Sequence, residues 1–353
     1  MAERADNILQ TAVKEGATDI FIVAGHAVTM RLHGRISADG NLTENALNAT
    51  DCEDLIREIY TLAKRPMDLL LKEGDDDFSF SVKGLSRFRI NAYKQRGSLA
   101  AVVRVITYEI PNAEKLHIPK QVIKLGALNK GMVLVTGPAG SGKSTTLACI
   151  IDYINRNMAR NIITLEDPIE YLHKHDKSLI SQREIHIDTE SYLTGLRSTL
   201  RQSPDVILLG EMRDYETIAT AMTAAETGHL IFSTLHTMGA ANTINRIIDV
   251  FPAEQQRQIA VQLSMVLTAV ISQQLIPTVD GDLLPAFEIM MVNPAIRNMI
   301  RTDKIFQIDA VIAGDREMQT MDNCLLDYYR AGRITKDTLM EKASHPENLE
   351  RKL

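Results

Sequence analysis

Apolar residues recur along this chain at helical spacing in some stretches and as strand-like runs in others, and the way the two alternate divides it. Near the start, Ala5, Ile8, Leu9, Ala12 and Val13 fall at helical spacing, which predicts an amphipathic helix stopped at Gly16. Residues 20–23 have the composition of a buried strand, and 28–32 form a second candidate that turns at Gly34. Helical spacing returns over 55–62 and 67–71. After Gly74-Asp75-Asp76-Asp77, which reads as an acidic turn, come three strand-like runs at 78–82, 86–94 and 99–106. Short connectors containing Gly84 and Gly97 separate them, and together they predict an antiparallel meander. Residues 1–108 are therefore expected to form a small α+β domain with no catalytic constellation of its own.

Residues 109–120 are polar, include Pro111 and Pro119, and read as a linker. Beyond them, continuous apolar runs at 132–136, 162–165, 206–209 and 230–234 alternate with helical segments. Strands apolar on both faces belong to a largely parallel sheet covered on both sides. Residues 121–353 are thus expected to form an α/β domain with a helical C-terminal region. The polar tail from about residue 345 is expected to fray.

Composition narrows the class. The chain has 353 residues, enough for two cores, with 45% apolar and 24% charged residues. No apolar run reaches the length of a membrane span, and the charged start Glu3-Arg4-Ala5-Asp6 lacks the apolar segment of a secretory signal, so the expected compartment is the cytoplasm. Cys52, Cys149 and Cys324 lie far apart, without a CxxC, and suggest neither disulfides nor zinc. A net charge of −6 argues against a general nucleic-acid binder, whose affinity rests on phosphate neutralisation.

Gly137-Pro138-Ala139-Gly140-Ser141-Gly142-Lys143-Ser144-Thr145 matches G-x-x-x-x-G-K-[ST] in full, after a predicted strand and before a predicted helix. Glycines let successive N–H groups wrap a phosphate closely. Lys143 is expected at the β- and γ-phosphates of ATP, and the Ser144 hydroxyl on Mg²⁺. The run 205–209 ends in Gly210-Glu211, a buried strand closed by an acid, with glycine where an aspartate is usual. Glu211 is assigned to Mg²⁺ through water, with polarisation of the attacking water as a second role. Glu166-Asp167-Pro168-Ile169-Glu170 places three carboxylates after another strand. One of them is a candidate general base beside a phosphate loop, and spacing leaves Glu166 and Glu170 equal. His229 and His236 flank one predicted strand, seven residues apart, pointing to opposite faces, so a shared metal is not expected. A γ-phosphate sensor or a subunit contact fits them better, although each alone reads more plainly as a structural histidine.

In this order the phosphate loop, the acidic box 164–171, the Gly-Glu strand end and the two-histidine segment resemble the secretion-ATPase superfamily, the motors of type II secretion and type IV pili. Gln182-Arg183-Glu184, Gly210-Glu211-Met212-Arg213-Asp214 and 223–229 extend the likeness. The short leader, the lack of a four-cysteine zinc motif and Ala295-Ile296-Arg297-Asn298-Met299-Ile300-Arg301 resemble the retraction (PilT-like) branch. Three positions depart from its pattern: Met299 replaces leucine, Thr302 stands where a glutamate is usual, and Ser203 replaces an acid.

The resemblance implies a RecA-like P-loop core and a PAS-like N-terminal domain, in which 18–22 and 87–91 look like the family's segments. It also implies Glu170 as the catalytic glutamate of the acidic box. Arginines of one protomer are implied to reach a neighbour's nucleotide, with Arg89, Arg96 and Arg104 as candidates. The implied assembly is a homohexamer acting on an inner-membrane platform protein at the inner face of the cell membrane, without nucleic acid. Rival readings are an accessory retraction or assembly motor of the same superfamily, a nucleic-acid motor and a non-enzymatic nucleotide-binding regulator.

Overall fold

The computed structural model describes every residue except Met1, Ala2, His33, Gly34, Thr107 and Lys352, with backbone only at Ser37, Ala38 and Asp39. The turn expected at Gly34 lies outside the described residues. The chain divides into two compact units, Met1–Glu109 with Glu170–Leu172, and Ile110–Ile169 with His173–Leu353.

In the first unit, α1 (Glu3–Lys14) buries Ala5, Ile8, Leu9 and Ala12, the stripe that its spacing predicts. Strands β1 (Asp19–Ile22), β2 (Thr29–Leu32) and β3 (Arg35–Asn41) follow, then helices α2 (Ala49–Ala63) and α3 (Asp68–Glu73). Helix α2 starts earlier than its apolar spacing suggests. Asn48 and Asp51 form a reciprocal capping box that satisfies its first free N–H groups. Strands β4 (Asp75–Val82), β5 (Ser86–Gln95) and β6 (Ser98–Ile106) make the expected meander. All six strands form one antiparallel sheet in the order β3-β2-β1-β6-β5-β4, and β3 was not foreseen.

The expected acidic turn at 75–77 is instead the start of β4. Asp76 is buried, accepting from the Tyr60 hydroxyl at 2.9 Å and from both arms of the Arg65 fork at 2.9 and 2.8 Å. A carboxylate with three charge-assisted or hydroxyl donors is tolerated in a core that would reject it alone.

In the second unit, α4 (Lys120–Ile123) precedes β7 (Gly131–Thr136), α5 (Lys143–Asn157), β8 (Asn161–Glu166), β9 (Leu179–Glu184) and α6 (Tyr192–Thr199). Then come β10 (Val206–Leu209), α7 (Tyr215–Glu226), β11 (Leu230–Leu235), α8 (Ala240–Asp249) and α9 (Ala253–Val266). Strands β12 (Leu267–Pro277) and β13 (Leu283–Met291) complete the sheet before α10 (Pro294–Arg301), α11 (Ile308–Gly314), α12 (Met321–Arg330), α13 (Lys336–Lys342) and α14 (Pro346–Leu349). The order is β13-β12-β7-β11-β10-β8-β9, parallel throughout except for the edge strand β13.

Every residue of β7, β10 and β11 is buried, as continuous apolar strands between helical layers require. Each large apolar side chain so placed contributes about 1.5–3 kcal/mol. Part of the tail expected to fray is packed: Leu349 is fully buried with Ile276, Leu325 and Leu339. All three cysteines are buried, and burial pushes the Cys149 thiol up to about 11.

Candidate active site

Register alone brings the candidate chemistry to one edge of the second sheet. Leu209 lies opposite both Ser233 and Leu165, and Leu235 lies opposite Thr136. The loops leaving the C-terminal ends of β7, β11, β10 and β8 therefore emerge side by side. They carry, in that spatial order, Gly137, His236, Gly210-Glu211 and Glu166. With neighbouring strands about 4.8 Å apart, Glu211 leaves the sheet roughly 10 Å from the start of the phosphate loop. This C-terminal edge is where ligands bind in open α/β sheets.

The phosphate loop needs its glycines for two reasons. Gly137, Gly140 and Gly142 all have positive φ, at 141°, 74° and 87°. There is also no room at two of them. A Cβ on Gly137 would stand 2.1 Å from the Gln273 carbonyl oxygen, and one on Gly142 would stand 2.9 Å from Gln273 Nε2. Gly142 caps α5, so the first N–H groups of a fifteen-residue helix face into the loop. Lys143 is buried, and its Nζ donates to Gly137 O and Pro138 O, both at 2.9 Å. The Ser141 hydroxyl is buried without a protein partner. The loop is thus a ring of donors with its ammonium already inside, a fit for an anionic phosphate chain.

The carboxylates gather around a residue that sequence reasoning did not single out. The Tyr192 phenol, on the first turn of α6, is pushed above its ordinary pKa by burial and by the charges of Glu211, Asp167 and Glu166. Its hydroxyl stands 2.7 Å from where a Cβ on Gly210 would be. Any side chain at position 210 would have to displace that hydroxyl, which gives a physical account of the missing aspartate. Glu211, 13% exposed, pairs with Arg213 at 2.7 Å and lies 3.6 Å from His236 Nε2.

Glu166 is held by the Thr164 hydroxyl and by Gln182 Nε2 at 3.1 Å. Gln182 also accepts from His173 N at 2.9 Å, and Glu184 accepts from Ile169 N at 3.2 Å. The Gln182-Arg183-Glu184 segment on β9 therefore buttresses the acidic turn. This segment stands out in the sequence only through the family likeness, because its hydrogen bonds to the turn follow no helical or strand spacing. Glu170 is exposed and is counted with the first unit.

The two histidines are not brought together. His236 is exposed at the C-terminal end of β11, beside Glu211. His229 precedes the same strand, about 20 Å away at the strand rise per residue. Its Nδ1 contacts Ala224 O at 2.9 Å, at the end of α7. Within one protomer it takes no part in the edge that holds the phosphate loop.

The three candidate arginines lie on or beside β5 and β6 of the first unit. Arg89 and Arg104 are directly opposite. Arg89 forks onto Asp77 at 3.1 and 2.7 Å, and Arg104 donates to Asp19 at 3.0 Å. Asp19 is buried and also receives Arg31 at 3.1 Å. Arg96 is exposed at the β5–β6 hairpin tip with φ 46°, a left-handed conformation that non-glycine residues adopt rarely.

The sequence profile described as "Type II/IV secretion system protein" matches residues 1–309. The chain belongs to this family. It is 44% identical over 344 residues to the type IV pilus retraction ATPase PilT of Pseudomonas aeruginosa, covering 97% of this chain and 98% of the relative. It is 43% identical over 356 residues to a twitching motility protein of Neisseria gonorrhoeae, covering 97% and 91% of the two. Among solved structures it matches the pilus retraction motor PilT with bound ADP at a TM-score of 0.88 and 44% identity, over 98% of both chains.

Within this family fold, the segment that resembles retraction motors forms α10. The Asn293 side chain caps it at Ile296 N, 3.0 Å away, and Ile296 and Ile300 are buried while Arg297, Asn298 and Arg301 face outward. Thr302, in place of the usual glutamate, turns its hydroxyl back onto Asn298 O at 2.7 Å. Among the described residues no helix is long and apolar enough to cross a membrane. Nor does any group of three or more His, Cys, Asp or Glu side chains among them converge as a metal site. The hydroxyl of Ser144 and the carboxylate of Glu211 are hard oxygen donors. They suit Mg²⁺ when phosphate oxygens and water supply the remaining ligands.

Proposed function

We propose that this chain is an ATP-hydrolysing motor that retracts type IV pili. The observation that carries the reading is the phosphate loop with Lys143 in place, at the same sheet edge as Glu211, in a chain that aligns end to end with a retraction ATPase. ATP lies in the loop, with Lys143 and the loop N–H groups on its phosphates. Ser144 and, through water, Glu211 would hold Mg²⁺, which would supply neutralisation of the charge on the β- and γ-phosphates. Glu170, the acid that the motif position implies, takes a proton from water as its oxygen attacks the γ-phosphorus, and ADP leaves. His236 senses the γ-phosphate side, and His229 serves a subunit contact at the far end of β11.

A second assignment of the base is favoured by one observation: Glu166 is the acid of the box whose carboxylate is held near Glu211 by Thr164 and Gln182. Comparison of Glu166→Gln with Glu170→Gln decides between them. The base is the one whose loss stops turnover while ATP still binds.

The motor works as a homohexamer in the cytoplasm, against an inner-membrane platform protein. Arg89, Arg96 and Arg104 of an adjacent protomer complete each site, so that hydrolysis depends on assembly. Mixing Arg104→Ala with Lys143→Ala subunits restores part of the activity if sites are shared. No recovery with any of the three arginines rules sharing out. The function itself is tested by counting surface pili after deletion of the gene, with Lys143→Ala complementation alongside. Excess pili and lost twitching, unrescued by the variant, are expected. Bald cells would make it an assembly motor.

A further inference from the structure

One residue outside the phosphate loop touches both of its ends. Strand β12 runs parallel to β7 with Ser272 opposite Thr136, so Gln273 stands level with Gly137, the first residue of the loop. Gln273 is 3% exposed, and its Oε1 accepts from the Thr146 hydroxyl at 2.7 Å. Thr146 is itself fully buried on the first turn of α5, three residues after Lys143. The other end of the same amide, Nε2, fills the space beside Gly142, and the Gln273 carbonyl fills the space beside Gly137.

The next residue back, Ser272, projects to the opposite face of the sheet. There it accepts from Gly239 N at 3.0 Å, and Glu288 of β13, directly opposite Ser272, accepts from Ala240 N at 2.7 Å. Adjacent residues of β12 thus brace the phosphate loop on one face and the segment that follows His236 on the other.

We propose that Gln273 is a positioning residue for nucleotide binding, resting on the reading that this loop holds ATP. Its amide fixes the first turn of α5 against β12 and sets the separation of Gly137 and Gly142. The loop N–H groups and Lys143 are then held around the place a phosphate takes. Without that bond, Thr146 and Gln273 are buried polar groups that must find new partners, and the loop relaxes before it can close on an anion. Gln273 touches neither the attacking water nor the γ-phosphate in this scheme. Its loss weakens binding and leaves the chemical step nearly intact.

The test uses the full chain and a fluorescent ATP analogue, with KM and kcat from phosphate release. Gln273→Leu and Thr146→Val are each expected to raise the dissociation constant and KM about five- to twentyfold, the scale of one buried hydrogen bond with some loop loosening. kcat at saturating ATP changes by less than about threefold, as expected when only ground-state binding is lost. The double variant is no worse than about twice either single one, because both remove the same bond. Thr146→Ser, which keeps the hydroxyl, retains wild-type affinity.

Dissociation constants for Gln273→Leu or Thr146→Val within twofold of wild type overturn the proposal, as does a fall in kcat at unchanged KM. If Gln273→Leu fails to fold, Thr146→Val and Thr146→Ser decide by themselves. Wild-type protein that binds no nucleotide defeats the ATPase reading and this proposal with it. Tight wild-type binding with indifferent variants defeats the positioning role alone.

Discussion

Gly210 lies where the commonest nucleotide-site strands carry an aspartate, and the structure gives a quantitative reason for the substitution. A Cβ there would be 2.7 Å from the Tyr192 hydroxyl, 3.3 Å from Leu165 O and 3.5 Å from Glu166 Cα. The second needs only a few tenths of an ångström of give, and the third is ordinary contact. The first must open by roughly 0.7 Å to reach ordinary contact, in a region where β8, β10 and α6 are packed together. Overpacking of this kind costs about 1–3 kcal/mol. Gly210→Ala should therefore lower the melting temperature of the second unit, by about 2–4 °C for each kcal/mol in a unit of this size.

Tyr192→Phe removes the offending oxygen and moves the nearest ring atom back by about a bond length. In that background Gly210→Ala should be close to neutral, since the reduced freedom of the unfolded chain returns about 0.4–1 kcal/mol. Scanning calorimetry of the four proteins in the cycle measures the coupling, expected at about 1–2 kcal/mol. A Gly210→Ala protein as stable as wild type, or a penalty that persists in Tyr192→Phe, would refute the steric account.

Three further outcomes are expected. Lys143→Ala should abolish ATP hydrolysis by removing the ammonium inside the loop, and phosphate release within tenfold of wild type would show that the site is elsewhere. Burial pulls the His173 imidazole down to about 4 from 6.5, with Asp152 opposing, so below pH 6.5 the unfolded chain binds a proton that the native state refuses. Stability should then fall by about 3 kcal/mol as pH drops through that window. His173→Gln should flatten this fall in urea midpoints taken between about pH 7 and about pH 4.5, and an unchanged slope would count against it. Asp76→Ala leaves the Tyr60 hydroxyl and the Arg65 fork without their acceptor and should cost about 2–4 kcal/mol in urea unfolding, mostly in the first unit. A loss below about 0.5 kcal/mol would mean that those donors find water without penalty.

The local features of this protein were legible in its sequence because each is encoded within a few residues. Strand-like runs between glycine-containing connectors marked the meander, continuous apolar runs marked the parallel strands, and helical spacing marked the buried stripe of α1. The phosphate loop is a contiguous string whose chemistry follows from its glycines and Lys143. The sequence also showed that a glycine stands at position 210.

Only the tertiary structure decided why. Tyr192 is eighteen residues from Gly210 and Gln273 is 136 residues from Gly137, so no window along the chain contains both partners of either contact. The same holds for Asp76, which local polarity assigns to a turn but Tyr60 and Arg65 draw into the core. Backbone propensity and apolar period act over a turn or a strand and can be read in one dimension. The solvation of a buried charge, the clearance beside a glycine and the convergence of loops at a sheet edge depend on strand order and register, which exist only once the chain has folded.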